Sequence, residues 1–183
     1  MFDVKCSSLL ARIIRESGGQ PVMSRSGHSF MKLRMRETGA VLGGEFSAHI
    51  FIRDQWYGFD DGLYVGARFL ELICRQGKTV DALLDSLPPS VSTPELRIEV
   101  EEHEKFALMD RIAGFADFPG ASVSSIDGIR ADFPRGWGLV RASNTTPAIL
   151  LRFEAEDQVT LEQIMNNFRQ LLEKADSRLG GAF

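Results

Sequence analysis

No stretch of this 183-residue sequence approaches the roughly 18 to 20 uninterrupted apolar residues that a membrane-crossing helix needs, so a membrane role is not expected. Met1-Phe2-Asp3 leads straight into a strand-like run with no signal-peptide profile, which makes the cytoplasm the expected address. Cysteine is scarce: Cys6 and Cys74 stand far apart with neither Cys-x-x-Cys nor Cys/His spacing, so neither a zinc site nor a disulfide framework is indicated. Both read as small buried apolar residues. An excess of positive charge is also missing. Lys and Arg number 21 against 25 Asp and Glu, a net charge of −4 with a pI near 5.4, which leaves no general attraction to nucleic acid or an anionic membrane surface. A bound anion must be held locally. Walker, Gly-x-Gly-x-x-Gly, Gly-x-Ser-x-Gly and His-Glu-x-x-His motifs are absent, as are internal repeats and low-complexity tracts. What is present is an ordinary globular composition, 44% hydrophobic and 25% charged.

The strongest break is Leu87-Pro88-Pro89-Ser90-Val91-Ser92-Thr93-Pro94, where three prolines remove backbone donors and favour extended neighbours. We take residues 88–94 as a linker between domains spanning 1–87 and 95–183. In the first, Leu9, Leu10, Ile13 and Ile14 recur at helical spacing and predict a helix over Ser7 to Ser17, flanked by strands at Phe2 to Lys5 and Pro21 to Ser24. A second helix is expected over Ser29 to Glu37, then strands at Ala40 to Leu42 and His49 to Ile52 on either side of a glycine loop. Asp60-Asp61 should cap a helix from Gly62 to Arg75 whose inner face holds Leu63, Ala67, Leu70 and Ile73. The first half therefore reads as α/β. In the second, Leu96, Ile98 and Val100 alternate with charge, Phe106, Met109 and Ile112 mark a helix, and Ile129, Ala131 and Phe133 alternate again. Trp137 to Ala142 and Ala148 to Phe153 are extended runs, and Leu161, Ile164, Met165, Phe168, Leu171 and Leu172 stripe a long last helix. That half reads as α+β, helices on an antiparallel sheet.

Two segments carry chemistry. In Gly136 to Pro147 an arginine, Arg141, ends a strand beside Ser143, Asn144, Thr145 and Thr146; a guanidinium fork with hydroxyls and loop amides suits a phosphate, and the same residues equally make a plain hairpin turn. In Gly43-Gly44-Glu45-Phe46-Ser47-Ala48-His49, an extended backbone would point Glu45, Ser47 and His49 to one side. Such a carboxylate, hydroxyl and imidazole can read sugar hydroxyls, with His49 able to move a proton; the alternative is the polar face of an edge strand. His28 precedes a helix whose amides would favour an anion, or serves only local hydrogen bonding. Lys5 lies beyond the carboxyl end of a strand, where α/β sheets bind ligands, or is a solvated charge. His103, in an acidic run, reads as a solvated helix start.

Asp3-Val4-Lys5-Cys6, Ser26-Gly27-His28-Ser29, Gly44-Glu45-Phe46-Ser47-Ala48-His49, Phe59-Asp60-Asp61-Gly62 and Arg141-Ala142-Ser143-Asn144-Thr145-Thr146-Pro147 occur in one order. Together they resemble the α-D-phosphohexomutases, with greatest similarity to the bacterial phosphomannomutase/phosphoglucomutase branch, across essentially the whole chain. The resemblance implies a four-domain enzyme that moves a phosphoryl group between the 1- and 6-positions of a hexose through a bisphosphorylated intermediate. This chain would be its C-terminal half: an α/β sugar-binding third domain, incomplete at its N-terminus, and a TATA-box-binding-protein-like fourth. Glu45, Ser47 and His49 match the sugar loop, with Lys5 and His28 at further active-site positions. His49 and Lys5 are the acid/base or electrostatic candidates, and Arg141, Ser143, Asn144 and Thr145 match the loop that grips the distal phosphate. Phe46 and Ala48 depart from the family's Gly-Glu-Met-Ser-Gly-His.

The family's phosphoserine loop and its Asp-Gly-Asp-Gly-Asp loop for Mg²⁺ do not occur here, so the resemblance implies a chain with no metal ligands that is inactive alone. Its expected partners are glucose or mannose 1- or 6-phosphate, the corresponding bisphosphate, and the N-terminal half of the mutase. A helix that precedes Phe2 in relatives has no counterpart, which implies uncovered apolar surface and self-association. A stand-alone, non-catalytic phosphosugar-binding module is the alternative.

Overall fold

A computed structural model describes residues 1–183 as two compact units, Met1–Pro89 and Ser90–Phe183. The first runs β1 (Phe2–Asp3), α1 (Ser8–Glu16), β2 (Met23–Ser24), α2 (His28–Thr38), β3 (Leu42–Gly44), β4 (Ile50–Ile52), α3 (Gly62–Gln76) and α4 (Val80–Leu84). Its sheet has the order β2-β1-β3-β4, with β1 parallel to both neighbours and β4 antiparallel to β3. Side-chain caps start α1, α3 and α4, while α2 begins at Gly27 without one. Ser7 accepts from the Leu9 amide at α1, and Asp61 from the Leu63 and Tyr64 amides at α3, satisfying donors a helix start leaves open. The contiguous buried cluster is small, Met1, Met31, Met35 and Phe51, with Phe2, Val4 and Cys6 buried outside it.

Several expectations fail here. The strand placed at Ala40 to Leu42 lies at Leu42–Gly44, so the glycine pair belongs to β3 and not to a loop. Gly43 is needed there because a Cβ would come within 2.5 Å of the Met35 sulfur of α2; the pair serves helix-on-sheet approach. The α3 face of Leu63, Ala67 and Leu70 is exposed, Leu63 by 90%, while Tyr64, Val65, Arg68 and Ile73 are half-buried. Periodicity reveals an apolar stripe but not whether anything covers it. Cys74 is exposed on the same helix; only Cys6 is buried.

The second unit runs β5 (Val91–Ser92), β6 (Leu96–Glu99), α5 (Lys105–Phe115), β7 (Ser122–Ser124), β8 (Ile129–Phe133), β9 (Gly136–Ala142), β10 (Ala148–Ala155) and α6 (Gln158–Ala175). The sheet is antiparallel throughout, ordered β5-β10-β9-β8-β7, with β6 also along β10. Leu161, Ile164, Phe168, Leu171 and Leu172 of α6 bury against Ile149, Leu151 and Phe153 of β10 and Leu108 and Ile112 of α5 in one core, each large side chain contributing roughly 1.5–3 kcal/mol. In α5 the buried stripe is Lys105, Leu108 and Ile112, while Phe106 faces solvent. The change from a mainly parallel sheet to an antiparallel one is the expected α/β to α+β order.

Candidate functional site

In the first unit the parallel strands β2, β1 and β3 end on one edge, where chain crossings leave room for a ligand. Lys5 follows β1, His28 opens α2 after β2, and Glu45–His49 follow β3. The last segment is not extended. Its Glu45 amide donates to the His49 carbonyl at 2.9 Å and its Ala48 amide to the Glu45 carbonyl at 3.0 Å, closing a turn in which Ala48 has φ +66°. Glu45 is consequently buried while Ser47 and His49 are exposed, so the idea of three side chains on one face of a strand is incorrect.

The Glu45 carboxylate accepts from the Gly27 amide at 2.5 Å, tying the β3–β4 turn to the start of α2. His49 Nδ1 donates to the Asp60 carboxylate at 2.6 Å, which orients the ring and leaves Nε2 for other contacts. The His28 and His49 rings lie 6.3 Å apart, and Lys5 Nζ is 5.7 Å from the centre of the Phe46 ring. The structure thus brings Lys5, His28, Glu45 and His49 into one neighbourhood, with exposed Ser47 in the same turn. Beneath them Asp3 is fully buried. It accepts from the Lys5 amide at 3.3 Å, the Cys6 thiol at 3.1 Å, the Phe46 amide at 3.2 Å and the Ser26 hydroxyl at 2.5 Å.

In the second unit Arg141 lies near the end of β9 and is buried. Its Nε and Nη2 donate to the two oxygens of Asp127 at 3.1 and 3.4 Å, a paired, directional charge contact. Asp127 is delivered by the β7–β8 turn, whose Gly128 has φ +80°, and a Cβ there would strike the Val140 carbonyl and Arg141 itself. Ser143 Oγ accepts from the Thr146 amide at 3.2 Å and the Thr146 hydroxyl at 2.8 Å. Two cations hold the far side of the turn: Arg97 donates to Thr146 Oγ1 at 3.1 Å, and Lys105, 2% exposed, to the Thr146 carbonyl at 3.2 Å and the Glu102 carboxylate. Asn144 and Thr145 face outward.

Asp3, Asp60, Arg97, Lys105 and Asp127 were not selected from the sequence. Asp127-Gly128 is a hairpin-turn dipeptide and Lys105 shares the helical spacing of Leu108 and Ile112, so two of them left a signal. Asp3 and Asp60 stand in the motifs Asp3-Val4-Lys5-Cys6 and Phe59-Asp60-Asp61-Gly62 without a site role of their own, and Arg97 is joined to its partner only by the fold.

A divalent cation does not fit these residues. No three His, Cys, Asp or Glu side chains are grouped to hold one, and the carboxylates of Asp3, Glu45, Asp60 and Asp127 each already accept hydrogen bonds from protein donors.

Residues 1–91 match the family model for the alpha/beta/alpha domain III of phosphoglucomutase/phosphomannomutase, and residues 95–171 that for its C-terminal domain. The chain belongs to the phosphoglucomutase/phosphomannomutase family. These proteins are phosphomutases, a class of isomerase. A phosphomannomutase/phosphoglucomutase of Pseudomonas aeruginosa is 45% identical over 179 residues, which cover 98% of this chain and 39% of that protein. A phosphoglucomutase of Neisseria meningitidis serogroup A is 48% identical over 175 residues, 94% of this chain and 38% of its own length. The crystal structure of a family protein from Burkholderia thailandensis superposes with a TM-score of 0.88 at 48% identity, covering 100% of this chain and 38% of that one. The chain therefore spans about two fifths of the length of the phosphomutases it matches. No helix is long and apolar enough to cross a membrane.

Proposed function

We propose that this chain is the sugar- and distal-phosphate-recognition part of a phosphoglucomutase/phosphomannomutase, which interconverts hexose 1-phosphate and hexose 6-phosphate through a bisphosphorylated intermediate. The observation that carries this reading is the gathering of Lys5, His28, Glu45, Ser47 and His49 at the carboxyl edge of one sheet in a chain that matches the family over both domains. Glu45 has one carboxylate oxygen bonded to the Gly27 amide and offers the other to a sugar hydroxyl, with Ser47 beside it in the turn. His49, oriented through Nδ1 by Asp60, presents Nε2 to take or give a proton at the sugar, and Lys5 supplies positive charge. Arg141, Ser143, Asn144 and Thr145 receive the phosphate away from the reacting end, an anion that suits a fixed guanidinium.

The domain division at residues 88–94, a cytoplasmic address, and Mg²⁺ and the phosphorylated nucleophile in the remaining length of the enzyme all follow from the same reading. Phosphoryl transfer depends on a metal and a positioned nucleophile, so this chain by itself is expected to be inactive. The exposed Leu63, Leu70, Leu84 and Leu87 supply an apolar surface for self-association at high concentration. Mixing the chain with the N-terminal three fifths of a close relative and following glucose 1-phosphate conversion to glucose 6-phosphate tests the proposal. Activity is expected in the mixture and in neither part alone; no activity at any ratio, with hexose phosphate still bound, would favour a non-catalytic phosphosugar-binding module.

A further inference from the structure

The three loops that carry the sugar-site residues leave different strands, and one buried carboxylate meets all of them. Asp3, the last residue of β1, is 0% exposed. One oxygen accepts from the Lys5 amide in its own loop and from the Phe46 amide in the β3–β4 turn, 43 residues away. The other accepts from the Ser26 hydroxyl, 23 residues away, in the segment that leads into His28. Glu45 closes the ring by accepting from Gly27. The contiguous apolar cluster of this unit holds only four buried residues, with Phe2, Val4 and Cys6 buried beside the β1 loop, and nothing in that cluster spans the three loops, so the cross-links between them are buried polar ones. We propose that Asp3 is the positioning residue of the sugar site, registering the loops of Lys5, His28 and Glu45 to one another without itself meeting the ligand. The claim rests on the sugar-site reading above for its ligand, but not for the coupling.

The role is one of geometry, and this dictates the discriminating variant. Asparagine at position 3 keeps the shape and the oxygen that faces Lys5 and Phe46, and its amide nitrogen can donate to the Ser26 hydroxyl, which accepts as readily as it donates. Asp3→Asn should therefore behave like the parent chain, whereas Asp3→Ala should release all three loops. The experiment is amide hydrogen exchange by NMR on the full 183-residue chain, combined with a glucose 6-phosphate titration. In Asp3→Ala the Lys5, Gly27 and Phe46 amides should exchange about tenfold faster or more, and glucose 6-phosphate should bind about tenfold more weakly. Asp3→Asn should restore both to within about twofold. Because Asp3→Ala removes a buried acceptor and can unfold the unit, Ser26→Ala provides a milder test: it should speed exchange at Phe46, a residue it does not touch. Unchanged exchange at Phe46 in Ser26→Ala, or an Asn variant as impaired as the Ala variant, would overturn the proposal. Parent chain that shows the exchange coupling but binds no glucose 6-phosphate would instead refute the sugar reading and leave the coupling standing.

Discussion

The second unit packs nineteen buried apolar residues into one core, while the buried cluster of the first comprises four. Both nevertheless present loops of similar length and polarity. In the second unit the phosphate-loop candidates extend from two long, mutually paired strands, β9 and β10, and short polar contacts refine a position that packing has already set. In the first, strands of two or three residues cannot fix the loops, and a buried carboxylate and a turn glutamate join them. The relation among loop side chains rests mainly on buried hydrogen bonds in the first unit, and in the second on long packed strands together with the buried Arg141–Asp127 pair and the Lys105 contact.

The comparison breaks first in denaturation. Two transitions are expected in urea, the first unit opening before the second, and Phe168→Ala should move only the later one, by about 3–5 kcal/mol, because Phe168 stacks on Phe118 and meets Phe153 edge-to-face in the larger core. One coincident transition for both units would contradict the difference. Next in size is Gly128→Ala, which combines a left-handed backbone angle with overlap onto β9. It should cost about 2–4 kcal/mol and, because the Asp127 carboxylate that fixes the Arg141 guanidinium is carried by this turn, weaken inorganic phosphate binding in calorimetry through lost orientation of that guanidinium. Stability lost with unchanged or tighter phosphate binding would separate the turn from the site.

Smaller effects sharpen the contrast from the other side. Ala48 occupies a left-handed position at φ +66°, which glycine adopts without a Cβ penalty, so Ala48→Gly should stabilise the first unit by about 0.5–1 kcal/mol in the same urea titration. In the second unit, hydrogen bonds from the Arg178 side chain and then its amide hold the Asp176 carboxyl down to about 2. A carboxyl whose folded value lies below its unfolded one contributes stability that is fully present above about pH 4 and is lost as pH falls through 2. Asp176→Asn should flatten that part of the acid unfolding profile of the second unit only.

Much of the fold was legible because its signals are local. Ser7 and Ser17 bound a helix found at Ser8–Glu16, and the α6 stripe buries as its spacing predicts. Beta strands of two or three residues, such as β5 and β7, are too short to show alternation. Gly43-Gly44 looked like a loop because glycine is a turn residue by composition, and only the approach of Met35 reveals why it sits in a strand. The site residue types could be named from their motifs. Their arrangement could not, since Glu45 turns onto Gly27 and Arg141 onto Asp127 across 18 and 14 residues, and the exposed face of α3 depends on what covers it.

The most direct test of the central claim, that the first unit reads the sugar and the second the phosphate, is calorimetric titration of glucose 6-phosphate, mannose 6-phosphate and inorganic phosphate into the parent chain, Arg141→Ala and Glu45→Ala. Arg141→Ala should remove most binding of both ligands, whereas Glu45→Ala should narrow the difference between the two sugars and leave the affinity for inorganic phosphate intact. Equal losses from the two substitutions would contradict that division.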